Sequence, residues 1–233
     1  MQNGTLPLTH RPVVCGLGPA GLFAALLLAR LGYRPIVLER GPALDERVKA
    51  VEHFSATGEL DENANIQFGE GGAGTFSDGK LTTRIGDELC GFVTEVFLEH
   101  GAPKEIAWQQ KPHVGTDLLR GVITSIRKEI ESLGGEVHFN TALTGFERRD
   151  GQLVGIQTTD GAFPCEALVF AVGHSARDTF GDADGQRPRA GVQALQRRLP
   201  GRASPIGDRK EPLPRGGGPS GPAARRISAF AAR

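Results

Sequence analysis

Apolar and polar positions change period several times along this chain, and each change marks an element. Val13-Val14-Cys15 is an unbroken apolar run of strand length. From Leu22 to Leu31 the chain is again almost wholly apolar, over a span that suits a helix, and Gly32 stands where that helix should stop. Pro35-Ile36-Val37-Leu38 reads as a second strand with an acid, Glu39, at its tip. A polar helical stretch is expected over roughly Leu44 to Phe54. Two amphipathic helices follow. One carries Leu89, Phe92, Val93, Val96 and Phe97 and stops at Gly101. The other starts near Thr116 as N-cap and runs through Leu119, Val122, Ile123, Ile126 and Ile130 to Gly134-Gly135. Period two then takes over. Val137 and Phe139 alternate with polar residues, and Asp150-Gly151 and Asp160-Gly161 have the chemistry of hairpin turns. The last apolar run, Ala167 to Val172, reads as a fully buried parallel strand that ends at Gly173-His174-Ser175. The order predicts an α/β fold: a Rossmann-like domain over residues 1–180, interrupted by a partial insertion and a small antiparallel meander.

The turn between the first strand and the first helix carries the chemistry. Gly16-Leu17-Gly18-Pro19-Ala20-Gly21 has the GxGxxG spacing in a strand–turn–helix context, and the acid closes the second strand. Gly16 permits the tight turn, Gly18 lets backbone approach a pyrophosphate, and Gly21 lets helix and strand touch. Pro19 and Ala20 open the helix, whose free N–H groups and positive dipole end favour an anion. Ala25 stands where a small residue allows close packing. Glu39 is expected to accept the ribose hydroxyls of an adenosine and to repel a 2′-phosphate, so the pattern favours FAD or NAD over NADP. On this reading, loss of the Glu39 carboxylate weakens binding without unfolding the domain. Arg40 beside it belongs to the same candidate group.

Two further features favour FAD. The first is Phe68-Gly69-Glu70-Gly71-Gly72-Ala73-Gly74-Thr75-Phe76-Ser77-Asp78-Gly79-Lys80-Leu81. A flavin ring is broad and flat, and small residues let backbone come close to it. Gly71, Gly72, Gly74, Thr75, Asp78, Gly79 and Lys80 are therefore candidate cofactor residues, with Lys80 either a positive charge for the flavin N1–C2=O edge or a solvated surface lysine. The second is the apolar strand that returns after the meander and ends at Gly173, also a candidate. His174 is a candidate flavin contact or acid–base group, against a simpler role capping its turn. His113 has the look of a structural residue. No general base is assigned, and hydride chemistry would belong to the flavin itself.

Composition changes the picture at one place. The 233 residues carry 27 basic and 27 acidic side chains. That balance hides a net charge of +7 after Phe180 and −7 before it. The segment 181–233 is rich in Arg, Pro, Gly and Ala and poor in aromatic and β-branched residues, so it is expected to be disordered. It reads either as a basic tail for a partner or nucleic acid, or, as we favour, as a GC-rich gene translated in a shifted frame. The amino terminus shows no secretory pattern, and the longest apolar run is too short for a bilayer. Cys15, Cys90 and Cys165 have no metal spacing and read as reduced, largely buried thiols. These features point to the cytoplasm, with no metal and no membrane partner.

The segments VVCGLGPAGLFAALLLARLG, VLERG, NIQFGEGGAGTFSDGKLTTR, KPHVGTDLL and ALVFAVGHSARDTF resemble the bacterial FAD-dependent dehydrogenases often described as NAD(P)/FAD-dependent oxidoreductases. The resemblance covers roughly Pro12 to Phe180, and GEGGAGTFSDGKL is its most specific part. It implies a glutathione-reductase-like FAD domain with an inserted substrate domain, NAD(P)H as a possible electron donor and an unidentified small-molecule substrate. Members of that family continue well beyond the GHSARDT element. The expectation is therefore an incomplete FAD-dependent oxidoreductase. The alternative is a non-catalytic flavin- or NAD-binding module with a basic interaction tail.

Overall fold

The computed structural model describes residues 8–77, 79–81, 87, 89–109, 113–177 and 179. Asp78 and the segment 181–233 lie outside the described residues, and with them the expectations placed there. Four strands form a parallel sheet: β1 (Val13–Cys15), β2 (Ile36–Leu38), β3 (Glu136–His138) and β7 (Leu168–Phe170), in the order β3-β2-β1-β7. Its register sets Val14 beside Val37 and Val169, while β3 pairs through Val137 to Val37. This is the strand order of a dinucleotide-binding half-domain. A second sheet is the antiparallel meander β4 (Leu143–Arg149), β5 (Gln152–Thr158) and β6 (Gly161–Pro164).

The strand residues sort by parity into two cores, because successive side chains leave opposite faces of a sheet. Val14 and Val37 point to the helical layer. There they meet α1 (Pro19–Arg30), α3 (Leu89–Glu99) and α4 (Thr116–Ser132) through Leu22, Leu26, Phe97, Val122, Ile126 and Ile130. Val13, Cys15, Ile36 and Leu38 point the other way, onto Leu143 and Ile156 of the meander. The parallel sheet is thus sandwiched between helices and meander, which explains why its central strands are apolar at every position. Phe23 of α1 stacks edge-on against Phe92 and Phe97, at 6.2 and 5.6 Å between centroids.

Three local expectations are corrected. Thr116 is the first residue of α4 rather than its N-cap; Gly115 (φ 85°) precedes the helix, and the Thr116 hydroxyl donates instead to the Ser77 carbonyl at 2.6 Å. The first hairpin uses Asp150 (φ 53°) and Gly151 (φ 81°) as a two-residue primed turn, as read. The second does not: Thr158 pairs with Gly161, so Thr159-Asp160 form the loop and Gly161 opens β6. β7 is half-buried rather than fully buried, because it lies at the sheet edge, with β1 as its one neighbour in the sheet among the described residues. The polar helix extends further than its pattern, as α2 (Leu44–Thr57), and closes on the left-handed Gly58.

Candidate dinucleotide site

The β1–α1 turn is locked by its own glycines. Gly16 has φ +96°, and a Cβ there would sit 2.5 Å from the Ala171 carbonyl oxygen. A Cβ on Gly21 would sit 1.8 Å from the Gly16 carbonyl oxygen. Both positions are closed to any side chain. Gly18 is the opposite case. It precedes α1 with φ −65°, ψ −179°, a conformation any residue adopts, and a Cβ there would meet nothing within 4 Å. The turn therefore needs glycine at Gly16 and Gly21 to fold, whereas at Gly18 the fold itself sets no such requirement. What Gly18 leaves open is a cavity of about 830 Å³, within the size range of cofactor sites. The first N–H groups of α1, which have no intrahelical partner, open at the same place.

Glu39 closes one side of this cavity. Its side chain is buried, and each carboxylate oxygen accepts one backbone N–H: Oε2 from Leu17 at 2.8 Å and Oε1 from Gly41 at 2.9 Å. A carboxylate offers about four acceptor positions, so both oxygens keep a lone pair for a ribose hydroxyl. Burial raises the Glu39 pKa above its ordinary value of 4.5. The Gly41 and Leu17 N–H groups and the Arg47 charge pull against that rise, and Glu70 adds to it. The cavity also takes in Cys15, whose thiol is pushed up to about 12, first by burial and then by the Glu39 charge.

Of the residues singled out by sequence, Gly16, Gly18, Pro19, Ala20, Glu39, Arg40, Gly72 and Gly173 line the cavity, and so do Gly69 and His174. Arg40 donates to the Thr179 hydroxyl at 2.8 Å, while exposed His174 stands 3.1 Å from the Ser175 hydroxyl. Gly21, Gly71, Gly74, Thr75, Gly79 and Lys80 lie outside the lining. Gly71 gives its N–H to the Leu17 carbonyl at 2.9 Å, tying the glycine loop to the β1–α1 turn. Gly74 approaches Leu119 and Gly79 the backbone of Gly115. Thr75 is fully buried and donates to the Gly72 carbonyl at 2.8 Å. Lys80 is exposed, and its backbone pairs with that of His113 in an isolated antiparallel β-bridge.

Sequence patterns missed the charges behind the glycine loop. Arg47 of α2 and Glu70 are both fully buried. Glu70 accepts the Leu44 N–H at the start of α2 at 2.7 Å and the Arg127 guanidinium of α4 at 2.7 Å. Arg120 of α4 donates to the Thr75 carbonyl at 2.9 Å. Arg47, Arg120 and Arg127 sit in no spaced motif and looked like ordinary polar positions; Glu70 lies within the glycine loop, but only its glycine neighbours were singled out there. Among the described residues no His, Cys, Asp or Glu group could hold a metal.

A family profile described as FAD dependent oxidoreductase matches residues 120–218, the part beyond Thr179 falling outside the described residues. The cofactor that this match brings is FAD. An uncharacterized protein of Clostridium beijerinckii is 55% identical over 180 residues, 77% of this chain and 34% of the relative, so the chain spans about a third of that relative's length. Among solved structures, L-proline dehydrogenase from P. horikoshii aligns with a TM-score of 0.43 at 17% identity, over 77% of this chain and 57% of its own. Thioredoxin reductase of Lactococcus lactis aligns with a TM-score of 0.39 at 18% identity, over 71% and 36%.

The residues present fit FAD on their own terms. Gly18 leaves the open approach that a pyrophosphate needs, Glu39 keeps acceptors toward the cavity, and glycines 69 and 72 bring backbone to its wall. Among the described residues no helix is long and apolar enough to cross a membrane.

Proposed function

We propose that this chain binds FAD as part of a dehydrogenase-type oxidoreductase, working in the cytoplasm with NADH or NADPH as electron donor and a small molecule as substrate. The observation that carries the reading is the convergence of Gly18, Glu39 and the Gly69–Gly72 backbone on one cavity, joined to the family match. Bound FAD would supply hydride acceptance and donation. The chain supplies the rest. The α1 N-terminus holds the pyrophosphate through its free N–H groups and its dipole. Glu39 fixes the adenosine ribose. Cys15, Leu38, Leu143 and Phe170 give that end of the cavity an apolar lining. His174 and Arg177, both exposed, also line the cavity. Cytoplasmic placement is supported by Cys15 and Cys165, free thiols buried in the core.

Anaerobic mixing of the FAD-loaded protein with NADH and with NADPH tests the reading. Bleaching of the flavin absorbance by one of them is expected. A loaded protein whose flavin stays oxidised with both nucleotides and with a panel of reduced small molecules would contradict it.

A further inference from the structure

Arg47 makes an unusual set of contacts for a side chain with no exposure at all. Nε donates to the Asn65 carbonyl at 2.7 Å. Nη1 donates to the Glu70 carbonyl at 2.9 Å, the Gly72 carbonyl at 3.2 Å and the Thr75 hydroxyl at 3.2 Å. The guanidinium lies 4.7 Å from the centre of the Phe76 ring. Its Nη2 is buried with no hydrogen-bond partner among the described residues. Every one of these contacts is to the segment from Asn65 to Phe76, and none is to α2, which carries the residue.

That segment forms one wall of the dinucleotide cavity through Gln67, Phe68, Gly69, Gly72 and Ala73. It is also pressed against the phosphate-binding turn: a Cβ on Gly72 would lie 2.7 Å from Pro19 Cδ. A buried, incompletely paired guanidinium is a poor way to stabilise a core, since its desolvation offsets most of what its bonds contribute. Burial lowers the Arg47 pKa to about 10, so the group stays charged at neutral pH. What the five-donor planar fork does well is hold several carbonyls in one fixed arrangement.

We infer that Arg47 is a positioning residue for the cofactor: it clamps the Asn65–Phe76 loop into the cavity wall and so sets how tightly FAD is held, without lining the cavity itself. This rests on the FAD reading. Loss of the fork frees the loop, and FAD then has to order it at the moment of binding, which costs affinity. A lysine keeps the charge and loses the fork.

The experiment uses the full chain with free FAD as probe, comparing wild type, Arg47→Lys and Arg47→Met. FAD titration is paired with hydrogen exchange of the FAD-free proteins. Wild type failing to bind FAD would overturn the FAD reading itself. With wild type binding, Arg47→Lys is expected to bind FAD at least tenfold more weakly. Its amides at Gly71 and Gly72 should exchange faster while those at Val14 and Val37 are unchanged, and its bound flavin spectrum should lose fine structure. Unchanged affinity in Arg47→Lys overturns the inference. So does faster exchange spread evenly over loop and strands, which marks a general structural role. If Arg47→Met does not fold, Arg47→Lys decides; if neither folds, the residue is structural and the inference fails.

Discussion

The Glu39 carboxylate accepts the Leu17 N–H at 2.8 Å, so the tip of β2 is tied directly to the turn that follows β1. The same carboxylate faces the cavity. One side chain therefore serves the fold and, on the proposed reading, the cofactor.

Glu39→Ala should lower both stability and FAD affinity, in contrast to a purely ligand-binding acid. Two buried backbone donors lose their acceptor, at about 1–3 kcal/mol each. A fall in Tm on the order of 10 °C is expected, measured by thermal melting without FAD. FAD titration should show weakening of at least roughly tenfold, since a charged hydrogen bond contributes about 1.5–3 kcal/mol. An unchanged Tm would mean that the Leu17 and Gly41 bonds are weaker than their geometry.

Gly18 and Gly21 should separate function from folding. Gly18→Val meets open space and an ordinary backbone conformation, so its Tm should match wild type while FAD binding is lost. Gly21→Ala forces a carbon to 1.8 Å from the Gly16 carbonyl oxygen and should destabilise by about 3 kcal/mol or more. Equal melting of the two variants would refute the distinction.

The pH dependence follows from the raised pKa of Glu39. With the folded value above the unfolded one, the stability this group contributes is fully present below the unfolded pKa and is lost as pH rises through the folded pKa. FAD binding runs the other way, because the ribose hydroxyls need the carboxylate as acceptor. Affinity should therefore fall as pH drops through the folded pKa, and Glu39→Gln should flatten that slope. FAD titrations at a series of pH values check it; an equal slope in both proteins would assign the effect to another group.

Cysteine reactivity provides a check on burial. Cys15, pushed up to about 12, and Cys165, also raised by burial, should resist alkylation at neutral pH. Cys90, partly exposed at the start of α3, should be modified first. Mass spectrometry of partially alkylated protein would show the order, and early labelling of Cys15 would mean that the sheet opens readily.

The parts of the fold that sequence revealed are those in which a local pattern has one physical solution. The five apolar positions from Leu119 to Ile130 all face the core of α4, and GxGxxG between two apolar runs placed β1, α1 and β2. What stayed hidden depends on distant partners. Nothing near Ala167–Val172 tells that β7 has one neighbour rather than two among the described residues. The buried pairing of Arg47 and of Glu70 gave no signal because a buried charge looks like a surface one until its partners, 18 to 28 positions away for Arg47, are brought to it. The acid at the tip of β2 was legible from its place after the second apolar run, but its two backbone bonds were not.

Titration of the FAD-free full chain with FAD, with FMN and NAD in parallel and ADP as competitor, tests the central claim most directly. The account predicts saturation at one FAD per chain, displacement of FAD by ADP, and much weaker binding of FMN, because the recognised half is the adenosine diphosphate. FAD binding no tighter than that of FMN, and insensitive to ADP, would contradict it.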